Sequence, residues 1–93
     1  MRDIKDLRLE INEIDEKLTK LLERRMSVAR GVGEYKKSVG MPIFDSVREE
    51  EVLNRNTDRV ENEELKPYVR EIFQDIMNVS KEYQKKVIGE DNE

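Results

Sequence analysis

The 93-residue sequence contains no cysteine, no histidine and no tryptophan. Without cysteine there is neither a disulfide framework nor a thiolate nucleophile. Without histidine there is no serine–histidine–aspartate triad and no imidazole metal ligand. No stretch approaches the ~20 apolar residues of a membrane span. The N-terminus lacks the basic-then-apolar order of a signal peptide, so the expected compartment is the cytoplasm. Apolar residues make up 35% and aromatic residues 5% of the chain, which is lean for the core of one small domain, because small chains bury the smallest share of their surface. What the sequence has instead is charge: 43% of residues, with 18 Lys and Arg against 22 Asp and Glu, for a formal net charge of -4. A mildly acidic chain is a poor general binder of nucleic acid. The composition alone would suit disorder, but the apolar residues are periodic, which disordered chains lack.

Ile4, Leu7, Ile11, Ile14, Leu18 and Leu21 alternate spacings of three and four, and the series resumes at Val28, Val32 and Tyr35. This heptad pattern predicts one helix from residue 3 to about 37 that packs along its whole length on other helices. Such a helix spans ~50 Å at 1.5 Å per residue, too long for a compact monomer of this size. Its ends must find a partner outside a single bundle. Gly40 and Pro42 break the chain. A second helix is expected from Asp45 or Ser46 to about Arg59, with Ser46-Val47-Arg48-Glu49 fitting a capping box. After a polar connection, Pro67 suits the first position of a third helix. That helix runs to about Ile88, with Val69, Ile72, Phe73, Ile76, Met77, Tyr83 and Val87 on its apolar side. Gly89 is a natural stop, and Glu90 to Glu93 form an expected frayed tail. The expected fold is all-α, in one domain covering residues 1–93.

Several polar residues interrupt the apolar stripes. The heptad count places Arg25 on the first helix's seam. One reading is a long stem on the surface with its head in water. The other is a guanidinium within a helix–helix interface, which demands an anion there. Val32 and Lys36 fall on the same face as Arg25, with Lys36 ~16 Å away. A lysine near a helix C-terminus is otherwise most often solvated. Arg8 lies ~25 Å from Arg25 along the helix. If both serve one site, Arg8 must come from a second, antiparallel chain. In the third helix, Ser80 and Gln84 interrupt the stripe one turn apart, although each is bland alone. Asp45, Arg48 and Glu49 gather at the second helix's N-terminus, where free N–H groups face acceptors; a cap and two exposed charges are the plainer account.

This set offers cations, amide and hydroxyl groups, and carboxylates, with no nucleophile–base pair. Glu49-Glu50-Glu51 is a weak metal site, since consecutive residues do not share a helix face. Gly31 and Gly33 suggest close helix packing rather than a phosphate loop. The constellation suits an anionic ligand and a reaction driven by shape and electrostatics.

Leu7-Arg8-Leu9-Glu10-Ile11, Ile14-Asp15-Glu16-Lys17-Leu18, Leu21-Leu22-Glu23-Arg24-Arg25 and Val32-Gly33-Glu34-Tyr35-Lys36 resemble the first helix of the all-helical chorismate mutases. Pro42-Ile43-Phe44-Asp45-Ser46-Val47-Arg48-Glu49 and Ile72-Phe73-Gln74-Asp75-Ile76-Met77, leading to Ser80 and Gln84, extend the resemblance over residues 4 to 88. The resemblance implies rearrangement of chorismate to prephenate, on the branch towards phenylalanine and tyrosine, by an intertwined homodimer with two shared sites. It implies no metal, cofactor or covalent intermediate. Arg8 of the partner chain would bind one substrate carboxylate and Arg25 the other. Lys36 and Gln84 would donate to the ether oxygen, and Glu49, with the backbone near Arg48, would hold the ring hydroxyl. Asp45, Arg48, Ser80 and Val32 would complete the pocket. Lys81 departs from the pattern, because it follows Ser80 where an apolar wall residue is expected. No fused dehydratase, dehydrogenase or synthase segment is visible, as expected of a monofunctional enzyme or a trimmed one. Isochorismate-pyruvate lyases resemble the same fold but are expected to lack an acidic residue at position 49. A non-catalytic helical dimerisation module would leave Arg25, Ser80 and Gln84 unexplained.

Overall fold

The computed structural model describes residues 1–89, so the expected tail at Glu90 to Glu93 falls outside the described residues. Three helices, α1 (Ile4–Val39), α2 (Ser46–Arg59) and α3 (Lys66–Val87), follow in order, with a 3-10 turn at Glu63–Leu65 before α3. No strand occurs among the described residues. The fold is all-α.

Local chemistry sets the ends of these helices. Asp3 caps α1 by accepting from the Lys5 N–H at 3.2 Å. At the other end Gly40 takes φ 75, and the Met41 and Gly40 N–H groups donate to the Lys36 and Lys37 carbonyls at 2.8 and 3.3 Å. Those paired bonds close a left-handed C-terminal turn, for which glycine carries no side-chain penalty. Asp45 caps α2, its Oδ1 accepting from the Arg48 N–H at 3.0 Å. The capping box expected on Ser46 does not form, because Ser46 is already the first helical residue and the carboxylate before it takes the role. Asn56 and Thr57, weak helix formers, bond back to the Val52 and Leu53 carbonyls at 2.9 and 2.6 Å, and α2 continues through them to Arg59. Lys66 opens α3, which places Pro67 inside its first turn.

Helix α3 is the element on which both others pack. Val52 and Leu53 of α2 close on Met77 and Phe73 of α3, and Ala29, Ile43 and Ile88 complete the buried apolar set. Arg70 of α3 reaches Glu50 and Asn54 of α2 at 2.9 and 3.0 Å. Lys37 donates to the Ile88 carbonyl at 2.8 Å, joining the ends of α1 and α3. Ile72, expected on the apolar side of α3, is 55% exposed. It sits off the arc of Phe73, Met77, Ser80 and Gln84, on a face that no other element among the described residues covers.

Every residue from 1 to 24 is exposed. The half of α1 that carries Ile4, Leu7, Ile11, Ile14, Leu18 and Leu21 therefore projects from the three-helix body. The molecule measures 55 × 25 × 21 Å and has a radius of gyration of 16.4 Å, against ~12 Å for a compact chain of this length.

Candidate functional site

A cavity of about 300 Å³ opens where the C-terminal half of α1, the N-terminus of α2 and the C-terminal half of α3 meet. Of the nine expected site residues, eight line it: Arg25, Val32, Lys36, Asp45, Arg48, Glu49, Ser80 and Gln84. Arg8 does not. It stands on the projecting half of α1, 17 residues or ~25 Å away from Arg25.

Each wall has its own local cause. On α1, Arg25, Ala29, Val32 and Lys36 recur at helical spacing, so one face of the helix is presented to the cavity. Arg25 is half-buried and makes no ion pair among the described residues. The Lys36 ammonium donates to the Ile43 carbonyl at 2.9 Å. An ammonium has three donors, so this bond fixes the head and leaves two. Gly33 brings the third wall close: a Cβ there would lie 3.1 Å from Gln84 Cβ and 3.2 Å from its Cγ. Gly31 has nothing within 4 Å, so of the two glycines expected to permit close packing, Gly33 does so within the chain.

On α3, Ser80 and Gln84 are buried at 5% and 8% exposure. Gln84 Nε2 donates to Ser80 Oγ at 3.1 Å, while Gln84 Oε1 is buried with no hydrogen-bond partner. A buried amide oxygen left unpaired costs about 1–3 kcal/mol. Half a turn of the amide lets the Ser80 hydroxyl donate to Oε1 and frees Nε2 as a donor. In either arrangement Ser80 holds one end of the amide and the other end awaits a ligand.

At α2, Asp45 and the Arg48 N–H are committed to each other in the cap. The expected use of the backbone near Arg48 to hold a hydroxyl thus competes with Asp45, and the Glu49 carboxylate is left as the acceptor. The Arg48 side chain pairs with Glu51 at 3.2 Å, both mostly exposed. Lys81 turns into the cavity, where an apolar residue was expected. Its Nζ lies 2.7 Å from Glu49 Oε2, with side chains 22% and 16% exposed, and 4.6 Å from the centre of the Phe44 ring. The cavity is thus lined by four cationic and two acidic side chains, a net positive surface suited to an anion. Outside it, the Tyr83 hydroxyl and then the Glu34 carboxylate hold the Arg30 guanidinium above its ordinary value.

Sequence reasoning did not single out Ile43, Val52 or Met77 as cavity walls. Met77 was within reach, one turn before Ser80 on the same stripe. Ile43 was not, since it sits in the connection after Pro42, outside any period.

The fold is all-helical, and the pocket built from its three helices has a net positive lining of the kind that suits a small anionic ligand. The chain matches the model of the chorismate mutase type II family over residues 7–85, and it belongs to that family. It is 42% identical over 50 residues to a chorismate mutase of Methanocaldococcus jannaschii, covering 54% of this chain and 50% of that protein. It is 38% identical over 55 residues to a bifunctional chorismate mutase/prephenate dehydratase of Aquifex aeolicus, covering 59% of this chain and 15% of that one. A 3-dehydroquinate dehydratase of Pyrobaculum aerophilum is 44% identical over 52 residues, covering 56% of this chain and 17% of its own length. The chain thus spans half or less of each of these curated relatives. Among solved structures, a conserved hypothetical protein from Pyrococcus furiosus superposes with a TM-score of 0.70 at 42% identity, covering 87% of this chain and 93% of that one. No helix among the described residues is long and apolar enough to cross a membrane.

Proposed function

We propose that the chain is a chorismate mutase, converting chorismate to prephenate as a homodimer whose two sites each draw residues from both chains. The observation that carries this reading is the convergence of Arg25, Lys36, Glu49 and Gln84 from three helices on one cavity, together with an Arg8 that lies outside it. In the reaction an ether C–O bond breaks while a C–C bond forms in the same molecule, so nothing is transferred to the protein. The work left for the residues is to hold a compact conformer and to meet the charge that grows on the ether oxygen. Arg25 binds one carboxylate of the substrate. Arg8 of the second chain binds the other. The two free donors of Lys36 and the Nε2 of Gln84, oriented by Ser80, point at the ether oxygen. Because negative charge develops there only as the bond breaks, these donors act most strongly in the transition state. Glu49 accepts from the ring hydroxyl, while Val32 and Met77 supply apolar wall.

The uncovered seam on α1 supports the dimer in this reading. Ile11, Ile14, Leu18 and Leu21 are 55, 56, 47 and 59% exposed, and a second copy laid antiparallel would cover them while delivering Arg8. Light scattering at micromolar concentration is expected to give twice the 11.1 kDa chain mass, with folding and association coupled. The activity is tested by loss of chorismate absorbance with identification of the product. Prephenate supports the reading. Salicylate plus pyruvate would point instead to a lyase of the same fold, and no turnover would refute catalysis on chorismate.

A further inference from the structure

The Lys81–Glu49 pair lies inside the pocket, and the reaction described above uses Glu49 but gives Lys81 no part. Among the described residues it is the ion pair in which both side chains are mostly buried, 22% and 16% exposed. In each of the others at least one side chain is more than half exposed. Removing two charges from water costs about as much as their attraction returns, so such a pair is a poor device for stability. Its geometry is nevertheless well defined. Lys81 Nζ sits 2.7 Å from Glu49 Oε2 and over the Phe44 ring at 4.6 Å, so α3 is tied to the segment that opens α2. We propose that Lys81 is a positioning residue that neutralises Glu49 and fixes its orientation, which lets a pocket built for a dianion use a carboxylate to recognise a hydroxyl. The proposal rests on the chorismate reading.

Charge and geometry both support it. Of the two carboxylates in the lining, Asp45 is engaged in the α2 cap, whereas Glu49 is the one offered to a ligand. Left alone, its charge would oppose the substrate's two carboxylates, because like charges in one site disfavour each other. Lys81 cancels that charge and occupies Oε2, leaving Oε1 to accept from the ring hydroxyl. The ammonium itself is held by Glu49 and Phe44, so it acts through Glu49. The penalty for losing it falls on ground state and transition state alike, and so on KM rather than kcat.

Four variants of the intact protein test this: Lys81→Met, Lys81→Arg, Glu49→Gln and the double Lys81→Met/Glu49→Gln, each checked by circular dichroism and by mass. Lys81→Met is expected to raise KM for chorismate about tenfold with kcat within about threefold, and Lys81→Arg to recover most of the loss. In the Glu49→Gln background, Lys81→Met is expected to change KM by less than about threefold, the coupling that marks residues acting as a unit. An unchanged KM in Lys81→Met, with or without a lower Tm, overturns the proposal and leaves Lys81 a structural tie. Fully additive losses overturn it too, since Lys81 would then touch substrate directly. Both outcomes presuppose a wild-type protein that converts chorismate. If the wild type neither converts chorismate nor binds it by calorimetry, the functional reading falls and this proposal falls with it. If the wild type binds without turnover, the same four variants are compared by Kd, with the same outcomes deciding.

Discussion

The two halves of α1 carry the same heptad pattern, but only the second half touches another helix of the chain. From residue 25 onward the helix packs on α3 and forms a wall of the pocket, with Ala29 and Gly33 buried. Before residue 25 every side chain is exposed; beyond it the seam residues Val28, Val32 and Tyr35 are still exposed, and the helix meets α3 through Ala29 and Gly33 beside that seam. A heptad specifies that a helix wants a partner along its length; it does not specify whether that partner is in the same chain. The second half finds α3. The first half finds none among the described residues; on the reading proposed above, a second copy covers it and brings Arg8 with it.

The largest expected effect comes from the two arginines that sit in the two halves. Arg25→Ala and Arg8→Ala are each expected to lower kcat/KM at least a hundredfold, or about 3 kcal/mol, because each leaves a substrate carboxylate unpaired. Steady-state kinetics on folded variants measure this, and a mild effect of Arg8→Ala would mean that the projecting half serves no site. Stability sharpens the contrast. Leu53→Ala, in the body, is expected to cost about 2–4 kcal/mol by chemical denaturation with no change of mass. Ile14→Lys, on the projecting half, is expected to shift the mass in solution from twice the chain towards 11.1 kDa and to reduce helicity, because its seam loses its cover.

Around the packed half of α1 and the α3 face it meets, the effects are smaller. Gln84→Glu retains length but supplies a carboxylate, which donates only when protonated. At pH 7 it would face a developing negative charge, and kcat/KM is expected to drop at least about tenfold, ~1.4 kcal/mol. Activity should recover as the pH falls towards the introduced group's pKa, about 4.3 for a free Glu. Near-wild-type activity with an unchanged pH profile would remove Gln84 from the site. Smallest is the glycine pair. Gly33→Ala pushes a methyl against Gln84 and is expected to lower activity a few-fold, whereas Gly31→Ala should raise stability by up to ~1 kcal/mol through helix propensity, read as a higher Tm.

The helices were legible in the sequence because period, caps and breakers agreed: the heptad for α1, Gly40 and Pro42 for its end, Pro67 near the start of α3. The start of α2 was legible, but which residue caps it was not, since Asp45 and Ser46 compete for one role and only the backbone decides. Arg25, Ser80 and Gln84 could be picked out because each puts a polar group on an apolar stripe. Lys81 could be flagged as a departure, but its direction could not be inferred. Pointing a charge into the pocket is favourable only once Glu49 and Phe44 from α2 and its leading turn lie opposite, and that pairing across elements leaves no local signal. Ile43 escaped for the same reason, as its carbonyl matters to Lys36 only after the chain turns at Pro42.

The claim that one site is made by two chains is tested most directly by mixing. Arg8→Ala and Arg25→Ala proteins, each nearly inactive, are unfolded together in equal amounts and refolded. If Arg8 acts on the partner chain's pocket, a mixed dimer contains one site with both arginines intact, and random pairing should return about a quarter of wild-type activity. If Arg8 acts within its own chain or not at all in the site, well-mixed dimers of confirmed mass would show no recovery beyond the average of the two parents, and that result would contradict the shared site.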